Sequence, residues 1–160
     1  MEIYFSVEEL KVADKEYVKS LRKLMKFLQD SGNVVSRAPF AFSNEPDVFL
    51  QKELGLNRKP TLTEQGAAHM KWVDNADLML ADVSIPSEGR SMAIQRALDK
   101  PEMGMHYTPI IFIKAKKLER NFGRLIKGLI ESGKVTYYEY ANIDEVIKNW
   151  PKLVKKALSK

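Results

Sequence analysis

The run Ala76-Asp77-Leu78-Met79-Leu80-Ala81-Asp82-Val83 constrains this chain more than any other stretch. It is nearly unbroken in apolar residues and bounded by aspartates, whereas a strand with one wet face would alternate apolar and polar positions. Such a segment is stable when it is covered on both faces, which is how inner strands of parallel sheets are buried. Parallel neighbours need long crossovers, usually helices. The rest of the chain provides both kinds of element. Ile3 to Phe5, Val34-Val35, Pro109 to Ile113 and Val135 to Tyr140 read as four further strands. Behind a cap at Asp14, Tyr17, Val18, Leu21, Leu24, Met25 and Leu28 recur at helical spacing. Thr61-Leu62-Thr63-Glu64 has capping-box spacing and opens a helix through His69, Met70, Trp72 and Val73. Further helices are expected from about Met92 to Lys100 and from Leu118 to Ser132, and Asn142 with Glu145 caps a last one. Alternation of this kind predicts an α/β three-layer sandwich with a doubly wound, five-stranded parallel sheet, flavodoxin-like or Rossmann-like, as a single domain over residues 1–160. The stretch from Phe40 to Pro60 has no clear period and is expected to form a lid or a short extra helix.

Composition removes several function classes. The chain has no Cys, which excludes disulfides, thiolate metal sites and a cysteine nucleophile. Its histidines are His69 and His106, neither with ligand spacing around it, so no metal or other cofactor is indicated. The first residues carry no basic leader pattern and no window has the length of a membrane span, giving the expectation of a cytoplasmic protein without membrane contact. A net charge of +5 suits an anionic partner. However, Lys148, Lys152, Lys155, Lys156 and Lys160 surround Val146, Ile147, Trp150, Leu153, Val154 and Leu158 in the pattern of a solvated helix face, and no nucleic-acid motif accompanies them. The expected partner is a small molecule rather than nucleic acid.

Open α/β sheets gather ligands outside the carboxyl ends of their strands, where the strand order reverses. The loop after the central strand therefore deserves scrutiny. Ser87-Glu88-Gly89-Arg90-Ser91 leads into a helix amino terminus, where backbone N–H groups, the hydroxyls of Ser87 and Ser91 and the guanidinium of Arg90 are suited to an anion such as phosphate. A plain strand-to-helix turn capped by Ser87 accounts for the same residues.

The block Trp72-Val73-Asp74-Asn75-Ala76-Asp77-Leu78-Met79-Leu80-Ala81-Asp82-Val83-Ser84-Ile85-Pro86-Ser87-Glu88-Gly89 resembles the central block of the nucleoside 2-deoxyribosyltransferases. It is most similar to their branch that hydrolyses the N-glycosidic bond of 2′-deoxynucleoside 5′-monophosphates. Weaker likeness extends to Ile3-Tyr4-Phe5, Ala97-Leu98, Leu125-Ile126-Lys127-Gly128 and Tyr137-Tyr138-Glu139-Tyr140. The resemblance implies a nucleoside or nucleotide ligand held by Tyr4, Ser6, Asp82, Ser87, Gly89, Arg90 and Ser91, and a homodimer in which Gly123 occupies the position of a residue donated to the partner's site. It also implies a glutamate nucleophile four residues after the glycine, acting by the two-step logic of retaining glycosidases. This chain has Ala93 there, and His69 where the family places an aspartate that protonates the departing base. Alanine has no nucleophile, so the family chemistry cannot run through residue 93. The first loop departs too, with Ser6-Val7-Glu8-Glu9-Leu10-Lys11 where relatives are rich in glycine. A diverged binding protein and a single inactivating substitution both accommodate Ala93; His69 and the glycine-free loop favour divergence.

Two other readings use the same fold. Glu8, Glu9, Glu88 and Asp82 are alternative carboxylates for glycosidic chemistry if the fold brings a pair together. A receiver-like or flavodoxin-like binding module would use Glu8, Glu9 and Asp82 with Lys114 or Lys116.

Overall fold

The structure, a computed structural model, describes residues 1–7, 14–118 and 122–160. Its elements run β1 (Glu2–Ser6), α1 (Lys15–Asp30), β2 (Val34–Ser36), α2 (Ala38–Ala41), α3 (Pro46–Glu53), α4 (Leu62–Asn75), β3 (Leu78–Asp82), α5 (Glu88–Asp99), a 3-10 turn (Pro101–Met103), β4 (Ile110–Ala115), α6 (Arg124–Glu131), β5 (Thr136–Tyr140) and α7 (Ile143–Leu158). The strands form one parallel sheet in the order β2-β1-β3-β4-β5. This is the doubly wound α/β architecture that the alternation of elements predicts. The chain reverses its direction of growth between β1 and β3, and their carboxyl ends flank the resulting crevice.

Every residue of β3 and β4 is buried, because helices cover both faces. On one face Ile3, Phe5, Leu78, Leu80, Ile111 and Ile113 pack against Leu21, Leu24 and Leu28 of α1 and Val146, Trp150 and Leu153 of α7. On the other, Tyr4, Met79, Ala81, Ile110 and Phe112 pack against Trp72 and Val73 of α4, Ala93, Ile94 and Ala97 of α5, and Ile126 and Leu129 of α6. Each wholly buried aliphatic side chain contributes about 1.5–3 kcal/mol, so these two layers supply most of the fold's driving force.

The caps follow the sequence closely. Asp14 accepts from the Glu16 N–H at 3.1 Å and Asn142 from that of Glu145 at 3.2 Å. Thr61 and Glu64 complete a reciprocal box, with bonds of 3.2 and 2.8 Å, and Arg58 grips the same carboxylate through two nitrogens at 2.8 and 2.7 Å. Lys100 is buried at the far end of α4, where its ammonium donates to the Ala76 and Val73 carbonyls at 3.1 and 3.3 Å.

Three boundaries differ from expectation. The helix expected from Met92 begins at Glu88, because Ser87 Oγ accepts from the Arg90 N–H and draws the whole turn into the helix. The helix expected from Leu118 to Ser132 is helical from Arg124, with Gly123 as its N-cap; residues 119–121 lie outside the described part. The strand expected to end at Ile113 runs on to Ala115, whose N–H is taken by Ser84 Oγ at 2.8 Å. The unpatterned stretch before Pro60 contains α2 and α3, anchored by buried Phe40, Phe42 and Leu50.

Candidate functional site

Alternation along the central strands sorts the predicted residues onto two sides of the sheet. Tyr4 lies on the α4 and α5 side, and Ser6, two positions on, shares that face. Asp82 follows Leu80 onto the α1 and α7 side.

The α4 and α5 side gathers Tyr4, Ala93 and His69 with residues that the sequence reading did not single out. Tyr4 is 3% exposed and Ala93 fully buried, both within one apolar cluster with Phe40, Trp72, Ala81 and Val83. Trp72 stacks on the His69 ring at 5.2 Å, and Phe40 meets it edge-on at 5.1 Å. The Arg37 guanidinium lies over Phe40, 4.9 Å from the ring centre. It also hydrogen-bonds Tyr4. Burial raises the Tyr4 phenol above its ordinary value, against the opposing fields of Arg37 and Arg90. Burial, then the charge of Arg37, pushes the His69 imidazole from 6.5 down to about 4. His69 is therefore neutral at pH 7 and a poor proton donor there. Its Nε2 is buried and has no hydrogen-bond partner among the described residues.

Arg90 reaches this side as a buried side chain whose Nη1 donates to the Ile85 carbonyl. Its loop is largely closed on itself: Ser87 Oγ accepts from the Arg90 N–H at 3.2 Å, and the Ser91 hydroxyl donates to the Ser87 carbonyl at 3.3 Å. A Cβ added at Gly89 would meet no atom within 4 Å, and its φ is not positive, so neither backbone nor packing demands glycine there.

Asp82 is not brought to this cluster. It is 2% exposed, and its carboxylate accepts from the Tyr17 hydroxyl, from the Ser84 N–H at 3.0 Å and from the Ser84 hydroxyl at 2.5 Å. Burial and the Asp82 charge raise both the Tyr17 and Tyr140 phenols. A carboxylate so enclosed is poorly placed for phosphorylation or for glycosidic chemistry. Lys114 is buried under Phe122 and paired with Glu139 at 3.1 Å. Glu88 and Gly123 are exposed, and Glu8 and Glu9 lie outside the described residues.

Arg37 and Phe40 are the residues missed. The available signal was position: Arg37 directly follows β2, whose carboxyl end borders β1 at the crevice edge.

Comparison with protein-family models and with curated proteins gives no match. Among solved structures, the chain is similar to the CMP N-glycosidase BcmB of Clostridium botulinum, with a TM-score of 0.61 and 18% identity over 94% of this chain and 97% of that one. At that identity the likeness is one of fold.

Proposed function

We propose that this chain is a single-domain, nucleoside 2-deoxyribosyltransferase-like protein that binds a (deoxy)nucleoside or its 5′-monophosphate at the carboxyl ends of β1 and β3, without base release through residue 93. The carrying observation is the cluster itself. Tyr4 and the fully buried Ala93 share one cluster, Arg37 acts on both Tyr4 and His69 and Arg90 acts on Tyr4, on a sheet whose topological switch point between β1 and β3 is where this architecture binds ligands. His69 offers an unpartnered nitrogen in an aromatic setting, which suits the polar edge of a base. The fold shared with a CMP N-glycosidase supports the ligand class.

Ala93 supplies no charge, proton or nucleophile, and neutral His69 is a weak acid catalyst, so binding rather than turnover is the expected behaviour. The binding role would be exercised in the cytoplasm by a homodimer, with the exposed Gly123 turn at the partner's site; no helix among the described residues is long and apolar enough to cross a membrane. A receiver-like module is the weaker reading, since Asp82 is enclosed and Lys114 is engaged by Glu139.

The test is calorimetric titration with cytidine, CMP and their 2′-deoxy forms, alongside chromatography for free base, on the wild type and on Ala93→Glu. Saturable binding by the wild type with no base released supports the reading, and base release confined to Ala93→Glu strengthens it. Absence of binding by the wild type overturns it. Base release by the wild type overturns the inactive assignment and directs the search to another nucleophile.

A further inference from the structure

The net charge of the chain is concentrated on one face of the sheet. There α1 carries Lys15, Lys19, Arg22, Lys23 and Lys26 against Glu16 and Asp30, and α7 carries Lys148, Lys152, Lys155 and Lys156 against Asp144 and Glu145. Nine basic and four acidic residues give the two helices a formal charge of +5, which is the whole net charge of the chain. On the other face α4, α5 and α6 carry five basic and five acidic residues between them, a net of zero. All nine cations of α1 and α7 are exposed.

Packing makes the nine one surface. Leu21, Leu24 and Leu28 of α1 and Val146, Trp150 and Leu153 of α7 turn into the same core layer, which leaves the opposite flanks of both helices to solvent. Lys23 reaches Asp144 at 2.6 Å across the join, and Lys19, Arg22, Lys23 and Lys26 line an open groove there with Glu16 and Asp144. The acidic residues sit at helix ends, in the first turn of either helix or as the last residue of α1. Beyond them Lys148, Lys152, Lys155 and Lys156 follow one another within about 12 Å of helix length. None of these four has an ion-pair partner among the described residues. Lys152 stands at i, i+4 spacing from both Lys148 and Lys156, a like-charge arrangement that costs helix stability until an anion covers it. In the sequence the lysines of α7 stand alone and read as a solvated face; the fold sets the cations of α1 beside them.

The chemistry of this surface selects among polyanions. Leu158 is the one exposed large hydrophobic residue on either helix, so the face lacks the apolar anchors that hold an amphipathic helix in a bilayer. Tyr17 and Trp150 are buried and Phe27 packs against the core, so it also lacks the stacking platforms that hold single strands. A duplex presents a phosphate charge for about every 1.7 Å of its axis and is bound by cations alone.

We propose that the α1 and α7 face is a sequence-independent docking surface for the phosphate backbone of a nucleic-acid duplex. It lies across the sheet from Tyr4 and Ala93 and does not depend on the nucleoside reading.

The test is fluorescence anisotropy with short labelled DNA duplexes of two unrelated sequences, on the full chain as wild type and as two charge-matched variants. One carries Lys148→Gln, Lys152→Gln, Lys155→Gln and Lys156→Gln. The other carries Lys71→Gln, Arg124→Gln, Lys127→Gln and Lys134→Gln, at exposed positions on or next to α4 and α6. Glutamine keeps helix propensity, so both variants should melt close to the wild type. The wild type is expected to bind both sequences within about twofold, with an affinity that falls about 100-fold from about 50 to about 200 mM salt, the dependence of about four phosphate contacts. The α7 variant should lose at least about tenfold at the lower salt and show a shallower salt dependence, while the variant on the other face stays within about threefold of the wild type. Absence of duplex binding by the wild type at the lower salt overturns the proposal. An equal loss in both variants also overturns it, since net charge rather than this face would then be responsible. Sedimentation of the wild type with phosphatidylserine vesicles, without duplex binding, overturns it in favour of a membrane surface.

Discussion

Two polar clusters sit at the carboxyl ends of the same strands, on opposite faces of the sheet, and they are built differently. On the α1 and α7 side, Asp82 takes hydrogen bonds from Tyr17 and twice from Ser84, whose hydroxyl oxygen also takes the Ala115 N–H. That group joins α1, β3 and β4, and the Asp82 carboxylate is satisfied within it, although the neighbouring buried Tyr140 hydroxyl has no hydrogen-bond partner among the described residues. On the α4 and α5 side, Arg37 lies over Phe40 and acts on both Tyr4 and His69, whose Nε2 has no partner among the described residues. A satisfied buried network stabilises and fixes a fold, whereas an unsatisfied polar atom lowers stability and suits a ligand. On the proposed reading the contrast separates a structural role from a binding role at the tips of adjacent strands, where position alone would class both as site residues.

The contrast is broken most readily at Asp82. Asp82→Ala strands two buried hydroxyls, and a loss of about 3–4 kcal/mol is expected in urea unfolding, with ligand affinity of the folded protein unchanged. A variant that keeps its stability and loses binding would move Asp82 into the site. Tyr17→Phe removes one donor to the same buried carboxylate and should cost about 2 kcal/mol in the same assay, again without effect on ligand.

His69 tests the other side through pH. Its folded pKa of about 4 lies below the ordinary 6.5, so the unfolded chain binds the extra proton between these values. The contribution of neutral His69 is therefore fully present above pH 6.5 and is lost as pH falls toward 4. Discounted for the ring's partial exposure, the loss is about 1–2 kcal/mol. Unfolding curves at pH 7 and pH 4.5 should show a difference of stability that shrinks in His69→Phe. The smallest expected effect is His69→Phe at pH 7, where replacing an unpartnered polar ring by an apolar one should leave stability unchanged or raise it by about 1 kcal/mol. Nucleoside affinity, measured by calorimetry, should fall about tenfold in the same variant if Nε2 meets the base. Stability lost with affinity retained would place His69 in the core alone.

Much of the fold was legible in the chain. The apolar run at Leu78 to Ala81 required cover on both faces, the helical periods supplied that cover, and the caps at Asp14, Thr61, Ser87 and Asn142 marked where helices begin. These are local properties, set by spacing and by hydrogen bonds within a few residues. Ala93 and His69 were singled out through the resemblance and Arg90 through its turn, and the structure places Ala93 and Arg90 as buried and His69 against Trp72. Residues at the end of a strand were harder. Asp82 and Ser6 both occupy the right edge of the sheet, and the single-residue alternation that sends Asp82 toward Tyr17 depends on register, which is fixed only when the strands pair. Arg37 and Phe40 were hidden because they come from a short edge strand and a four-residue helix with no period of their own. Their meeting with His69 and Tyr4 joins segments distant in sequence. The sequence by itself determined the layers and the order of elements, because burial and capping act locally along the chain. Tertiary structure alone decided which polar groups satisfy one another and which are left buried without a partner among the described residues, because hydrogen-bond satisfaction is settled between segments that only folding brings together.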